Sequence, residues 1–272
     1  VNFDAKWGVN TPARVLYEYV KDPRQYYELH YTSLYNYFRD QGNETTAAYQ
    51  KAVSRLTSNE VGGLGYNVYN VPEGQQLIGT NGKFNPNIGK DDFRIIEVKD
   101  EKTGEVSKYK IQPDDMYDEL YDPSLRQEYN LNISGATEKS TFFASLGLLD
   151  NTGITDGSDM QRWTARLRGD YQAKKWLKVG ANMNYTRFEW NGASSSNEGD
   201  GSTADVFSYV ANTAPIYPVY VRNGEGEILK DKYGWPVYDT GDGSHHGLMS
   251  SSPMQASPLQ LIWLDQAYSE GN

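Results

Sequence analysis

The sequence predicts an all-β fold of antiparallel strands, either a segment of a transmembrane β-barrel or a soluble sandwich. Three observations carry this. Four runs between Gln127 and Trp190 alternate apolar with polar residues, the period of two that gives a strand one greasy and one wet face. The connections between them run short, long, short, long, the pattern of an outer-membrane barrel with tight periplasmic turns and extended outer loops. Each run has about the 9–11 residues that a tilted strand needs to cross the hydrocarbon layer. A soluble sandwich shows the same alternation, so periodicity leaves both readings open.

In chain order, Val1, Phe3, Ala5 and Trp7 alternate with Asn2, Asp4 and Lys6, a first strand over 1–8. Residues 9–126 read as a long loop carrying helices and a hairpin. Thr11–Pro12 and Asp22–Pro23 are helix starts, each a capping side chain before a proline at the first helical position. Beyond the second, Tyr27, Tyr31, Leu34, Tyr35 and Phe38 fall at helical spacing, and Gly42 ends the helix. Tyr49, Ala52, Val53 and Leu56 form the stripe of a further helix. Both stripes read as packing surfaces. Residues 94–111 predict a hairpin turning through Asp100–Gly104, and the acidic segment PDDMYDEL leads into the strands.

The four barrel strands occupy 127–190. Leu131, Phe142, Leu146, Trp163, Leu167, Val179 and Met183 fall on the apolar sides. Arg162, Arg166, Arg168, Lys178, Asn182 and Asn184 fall on the wet sides, which suits a water-filled lumen or open solvent. The expected turns are Thr137–Lys139 and Gln172–Lys175, with a longer loop over Asp150–Met160. Residues 191–257 form a second long loop, in which the prolines of APIYPVYVRNGEGEI argue for ordered loop rather than central strand. Residues 258–266 suggest one further strand.

Composition excludes several classes. The chain has 272 residues and no cysteine, so disulfides, thiolate metal sites and cysteine nucleophiles do not operate. A net charge of −10 without a sizeable basic cluster argues against a nucleic-acid partner. The mean hydropathy of −0.73 and the absence of a long apolar run exclude a membrane helix but not a barrel, where only alternate strand residues meet lipid. The 22 tyrosines and 6 tryptophans suit membrane-interface girdles and carbohydrate surfaces alike. No nucleophile, phosphate-loop or zinc motif is present, so no enzymatic activity is expected and no cofactor is assigned. Asp150, Asp156 and Asp159 are hard-oxygen donors in a glycine-containing stretch, a weak calcium candidate whose spacing fits no EF-hand. The sequence opens inside a strand-like run without an initiating methionine, which suggests a piece of a larger protein.

Several stretches together resemble a known family. QEYNLNISGATEKSTFFASLGLLDNTGI, QRWTARLRGDYQAKKWLKVGANMNYT, YYELHYTSLYNYF, VPEGQQLIGTNGKFNPN and APIYPVYVRNGEGEI are similar, in order, to the SusC/RagA family of TonB-linked outer-membrane transporters of Bacteroidetes. One departure is Met116, where the family usually has tryptophan. The resemblance implies a segment of a 22-stranded barrel, beginning just after the plug, with long, partly helical extracellular loops. The plug, the N-terminal domain and the TonB-contacting segment would lie outside these residues. It further implies import of oligosaccharides or peptides, a SusD-like surface lipoprotein as partner, TonB as energy source and outer-membrane lipid around the strands. In the loops, Tyr66, Tyr69, Asn85, Trp190, Tyr217 and Tyr220 become candidates for contacting ligand or lid. Other classes stay open: a surface-attached glycan-binding sandwich and a secreted glycan hydrolase.

Overall fold

The structure, a computed structural model, describes residues 1–12, 19–155, 157–192, 210 and 212–250. In chain order its elements are β1 (Asn2–Asn10), α1 (Pro23–Asp40), α2 (Thr45–Leu56), β2 (Ile95–Lys99), β3 (Val106–Lys110), α3 (Met116–Leu120), β4 (Ser124–Ala136), β5 (Ser140–Thr152), β6 (Asp159–Lys174) and β7 (Leu177–Asn191). They fall into two compact units. One holds the described residues of Val1–Leu16 and Leu120–Val206, the other those of Tyr17–Glu119 and Phe207–Leu261. The helix expected after Thr11–Pro12 and the strand expected over 258–266 lie outside the described residues.

The first unit is an antiparallel five-stranded sheet in the order β1-β4-β5-β6-β7. Its register fixes the two faces. On one, Leu131 pairs with Leu146, Leu146 with Ala165 and Ala165 with Tyr185, and the neighbouring row is Ile133, Ala144, Leu167 and Met183. On the other, Asn132 pairs with Ser145, Ser145 with Arg166 and Arg166 with Asn184. The alternation read from sequence therefore holds through the middle of the sheet, one face mainly apolar and the other mainly polar. Phe143, Leu149, Phe188 and Trp190 stand on the polar face, and Arg187 and Glu189 stand at the loop end of the apolar one. A sandwich would bury the apolar face under a second sheet. Phe142, Leu167 and Met183 are instead 53%, 50% and 61% exposed.

The sheet is open. Among the described residues β1 pairs only with β4 and β7 only with β6, so these strands do not close a barrel by themselves. The chain turns from β4 to β5 at 137–139 and from β6 to β7 beside Trp176, and both turns lie at one end. At the other end the chain leaves β1 at Asn10 and returns at Ser124, a pairing reinforced where Asn10 Nδ2 donates to Asn151 Oδ1 at 3.0 Å and to the Thr152 carbonyl at 2.8 Å. The strands are longer than the alternation suggested, because polar residues at their ends keep extended backbone and ladder bonds. Asp150 and Asp159 consequently stand in strands, opposite Gln161 and Thr152, rather than in a long loop. The loop that remains, 153–158, closes where Gly153 N–H donates to the Ser158 carbonyl at 2.7 Å.

The second unit is built on tyrosine. The Asp22 carboxylate caps α1 by accepting from Arg24 N–H at 2.9 Å, Pro23 opens the helix, and Gly42 at φ 81° follows its end. The inward stripe of α1 is Tyr27, Tyr31 and Leu34; that of α2 is Ala48, Ala52, Val53 and Leu56. Tyr66, Val68, Tyr69, Ile78, Ile111 and Ile216 complete the core. Each large side chain buried there contributes about 1.5–3 kcal/mol. Tyr27 also spends its hydroxyl inside the core, donating to the Tyr66 carbonyl at 2.9 Å. β2 and β3 form the expected hairpin, and its turn is held where Asp100 Oδ1 accepts from Lys102 N–H at 2.7 Å and Thr103 N–H at 2.8 Å. The acidic segment read as a lead-in forms a short helix, α3, with Asp115 Oδ1 accepting from Tyr117 N–H at 3.0 Å.

Within the same unit lies an internal repeat that the sequence reading passed over. Val221-x-Asn223, Leu229-x-Asp231 and Val237-x-Asp239 recur every eight residues. Their backbones close a cycle: Val221 N–H donates to Val237, Leu229 to Val221, and Val237 to Leu229, at 2.9, 2.8 and 2.9 Å. Asn223 and Asp231 each fold the following turn by accepting two backbone N–H bonds, from Glu225 and Glu227 and from Tyr233 and Trp235. Gly226 and Gly234 supply the φ of 93° and 89° that these turns require.

Candidate functional site

The polar face of the sheet is the candidate site. β6 projects Arg162, Arg166 and Arg168 to it, and β7 projects Lys178, Asn182 and Asn184. Arg168 stands between Phe143 and Asn182, while Lys178 faces Gln172. All six sequence candidates therefore share one surface. Gly147 leaves this surface locally hollow: a Cβ there would come within 2.6 Å of Thr164 Oγ1 and 3.0 Å of Asn130 Oδ1. The hollow keeps both polar groups available in the row Asn130, Gly147, Thr164.

Ion pairs on this face run along single strands. Arg126 Nη2 meets Glu128 Oε2 at 3.1 Å, and Arg168 Nε lies 3.6 Å from Asp170 Oδ2. Such exposed pairs contribute about 0–1 kcal/mol each, so the charges serve the surface more than the fold.

The opposite face carries aromatic side chains at two levels. Near the loop end Trp7 Nε1–H donates to the Tyr129 hydroxyl at 3.1 Å, and Trp163 shares the row of Tyr129. Near the turns Tyr171 stands on this face, and the exposed Trp176 lies in the β6–β7 turn itself. At about 3.3 Å per residue, Trp163 and Tyr171 are about 26 Å apart along β6.

The loop candidates divide by burial. Tyr66 and Tyr69 are each 1% exposed and belong to the core of the second unit, so they present no ring to a ligand. Tyr66 packs edge-on against Tyr217, and Tyr69 stacks on Phe93. Burial pushes the Tyr69 hydroxyl up to about 12. Asn85 is also buried, its amide donating to Gln75 Oε1 at 2.8 Å and the Gln76 carbonyl at 2.9 Å. These residues were expected to face ligand or lid; their apolar and amide surface instead closes the core. Tyr217 and Tyr220 are half-buried, and the Tyr220 hydroxyl donates to Glu119 Oε2 at 2.8 Å. Burial first, and Glu119 second, push the Tyr220 hydroxyl up. Trp190 is exposed and stands on the polar face at the loop end of β7.

Two features escaped the sequence reading. A cleft of about 430 Å³ in the second unit is lined by Tyr19, Lys21, Tyr26, His30, Asp115 and Tyr117. There Lys21 Nζ meets Asp115 Oδ2 at 2.8 Å and lies over the Tyr19 ring, and the hydrogen bond to Asp115 raises its pKa. No local signal marks the cleft, because distant segments assemble it. The other feature is a buried chain in which Leu248 N–H donates to His246 Nδ1 at 3.2 Å. Nε2–H is thereby left to donate to Asp239 Oδ2 at 2.7 Å, with the Tyr66 hydroxyl 3.3 Å away.

Of the calcium candidates, Asp159 accepts from Asn191 Nδ2 at 3.0 Å, and Asp156 lies outside the described residues. Among the described residues no three acidic or histidine side chains converge in a way that could hold a metal ion. No described helix is long and apolar enough to cross a membrane, which says nothing of strands.

No family model matches the chain. The TonB-dependent receptor P39 of Formosa agariphila is 30% identical over 119 residues, covering 44% of this chain and 10% of the relative. The chain resembles a TonB-dependent receptor. This agrees with the SusC/RagA resemblance of the quoted motifs, and the match takes in only a tenth of the receptor's length. The solved structure of the RagAB peptide transporter aligns with a TM-score of 0.40 and 14% identity, over 87% of this chain and 23% of the other.

Proposed function

We propose that this chain forms part of the barrel wall of a TonB-dependent outer-membrane transporter that imports oligosaccharides or peptides beneath a SusD-like lipoprotein lid. The observation that carries the reading is the two-faced sheet. An exposed apolar face lies between two aromatic levels and backs directly onto a polar, charge-bearing face. Water does not tolerate so large an apolar surface on a monomer, whereas lipid requires it. A tilt of about 40° reduces the 26 Å between aromatic levels to about 20 Å of membrane normal, the order of a barrel's apolar band. The longest connection, 11–123, leaves and rejoins the sheet opposite the tight turns, as an extracellular loop would. The segment that receives energy from TonB, the plug and the lid belong to the complete assembly.

The absence of cysteine makes the test direct. In the full-length transporter, Asn182→Cys should react with a membrane-impermeant maleimide, and Leu167→Cys should react only after the membrane is dissolved. Equal labelling of both positions in intact membranes refutes the reading.

A further inference from the structure

The polar face carries charge of the opposite sign to the chain. Lys6, Arg126, Arg162, Arg166, Arg168 and Lys178 stand on it against Asp4, Glu128 and Asp170, while the whole chain has a net charge of −10. Each of the three carboxylates is engaged by a neighbour on its own strand: Asp4 by Asn2 at 3.0 Å, Glu128 by Arg126 at 3.1 Å, and Asp170 by Arg168 at 3.6 Å. Arg162 and Arg166 meet no carboxylate within 4.0 Å among the described residues. They point the same way on β6, about 13 Å apart at about 3.3 Å per residue. Around Arg166 the surface is hydroxyl and amide, with Asn132, Ser145 and Asn184 in its row and Asn182 following on β7, whereas the row of Arg162 holds Glu128, Leu149 and Phe188.

We infer that this face selects anionic oligosaccharides, sugars bearing carboxylate or sulfate groups, with Arg162 and Arg166 as two successive anion contacts. The inference rests on the barrel-wall reading above and names the substrate class of the same surface. An arginine with no carboxylate in hydrogen-bond reach keeps its fork of donors for an external one, and a carboxylate or sulfate oxygen pair matches that fork. Arg162 does so although Glu128 shares its row and feels its charge. The spacing places the two charges on different residues of an oligomer. The amides and hydroxyls between them complement sugar hydroxyls. A bound peptide would instead seek an unpaired strand edge, and β6 is paired on both sides, with β5 and β7.

The test measures binding to the full-length protein in detergent, with oligogalacturonate, neutral maltohexaose and hexaglutamate as probes. The wild type should prefer oligogalacturonate to both others, and the preference should shrink as salt is raised. Arg162→Gln/Arg166→Gln should weaken oligogalacturonate binding at least tenfold and leave maltohexaose binding unchanged. Arg162→Lys/Arg166→Lys, which keeps the charge and loses the fork, should bind more weakly than the wild type and more tightly than the glutamine variant. Heat-modifiable mobility of each variant reports barrel assembly separately. Preference for maltohexaose, hexaglutamate binding as tight as oligogalacturonate, or unaltered oligogalacturonate binding by the assembled glutamine variant overturns the inference. So does a glutamine variant that fails to assemble while the lysine variant does, because the arginines then hold structure. A wild-type protein that never assembles into a barrel refutes the underlying barrel reading instead.

Discussion

Gln172 donates its backbone N–H to the carbonyl of Lys139 at 2.7 Å, tying the end of β6 to the turn between β4 and β5. The two tight turns are thereby joined at one end of the sheet, and strand direction is set for every other connection. In a barrel wall this end faces the periplasm and the Asn10–Ser124 end faces outward.

The face assignment predicts an asymmetric response to charge. Leu167 lies midway along the apolar face, and Asn182 lies on the polar one. An arginine on the lipid side at the midplane costs about 2–4 kcal/mol, while lumen positions accept charge. Leu167→Arg in the full-length protein should therefore reduce the amount of heat-modifiable barrel in the outer membrane, and Asn182→Arg should not.

The open edges predict how residues 1–272 behave alone. β1 and β7 each leave a row of N–H and C=O groups without a described partner, and the apolar face adds exposed rings. Unpaired edges template association. Without detergent the chain should elute as aggregate in size-exclusion chromatography, and detergent should shift it to smaller species. A monodisperse, cooperatively melting species in plain buffer would contradict this.

In the second unit, Arg222 and Asp114 form a buried two-pronged pair, with Nη2–Oδ1 at 2.6 Å and Nη1–Oδ2 at 2.9 Å. Asp114 also accepts from Val219 N–H at 2.9 Å, so one carboxylate organises the start of the eight-residue repeat. Asp114→Ala strands a buried guanidinium and should destabilise the unit by about 3–5 kcal/mol. Limited proteolysis under increasing urea should show cleavage within 219–239 at lower urea. Asp114→Leu/Arg222→Met, which removes both charges, should recover much of the loss.

Acid should act on the first turn of α1. Hydrogen bonds from Arg24 hold the Asp22 carboxyl below its ordinary value. A depressed native pKa means the contribution is complete above the unfolded value of about 3.9 and is lost as pH falls through the lower native value. Wild-type and Asp22→Ala proteins should thus differ in stability at neutral pH, by about 0.5–2 kcal/mol for a lost cap. The difference should shrink as pH drops below about 4. An unchanged gap at acidic pH would show that the carboxylate does not act through its charge.

The sequence alone determined everything set by neighbours along the chain. Alternation assigned each strand residue to a face, because successive side chains on extended backbone must point to opposite sides. Asp22–Pro23 and Gly42 bounded α1, because capping geometry is local. The eight-residue repeat was equally written there, though its short period resembles ordinary turn punctuation. The tertiary structure decided what depends on distant partners. The pairing of β1 with β4 spans more than a hundred residues of intervening chain, and no local pattern encodes it. Tyr66 and Tyr69 read as surface aromatics in a glycine-rich loop, yet they are core. Burial is fixed by what packs above a ring, here Tyr217 and His246 over Tyr66 and Phe84 and Phe93 around Tyr69, not by the composition beside it.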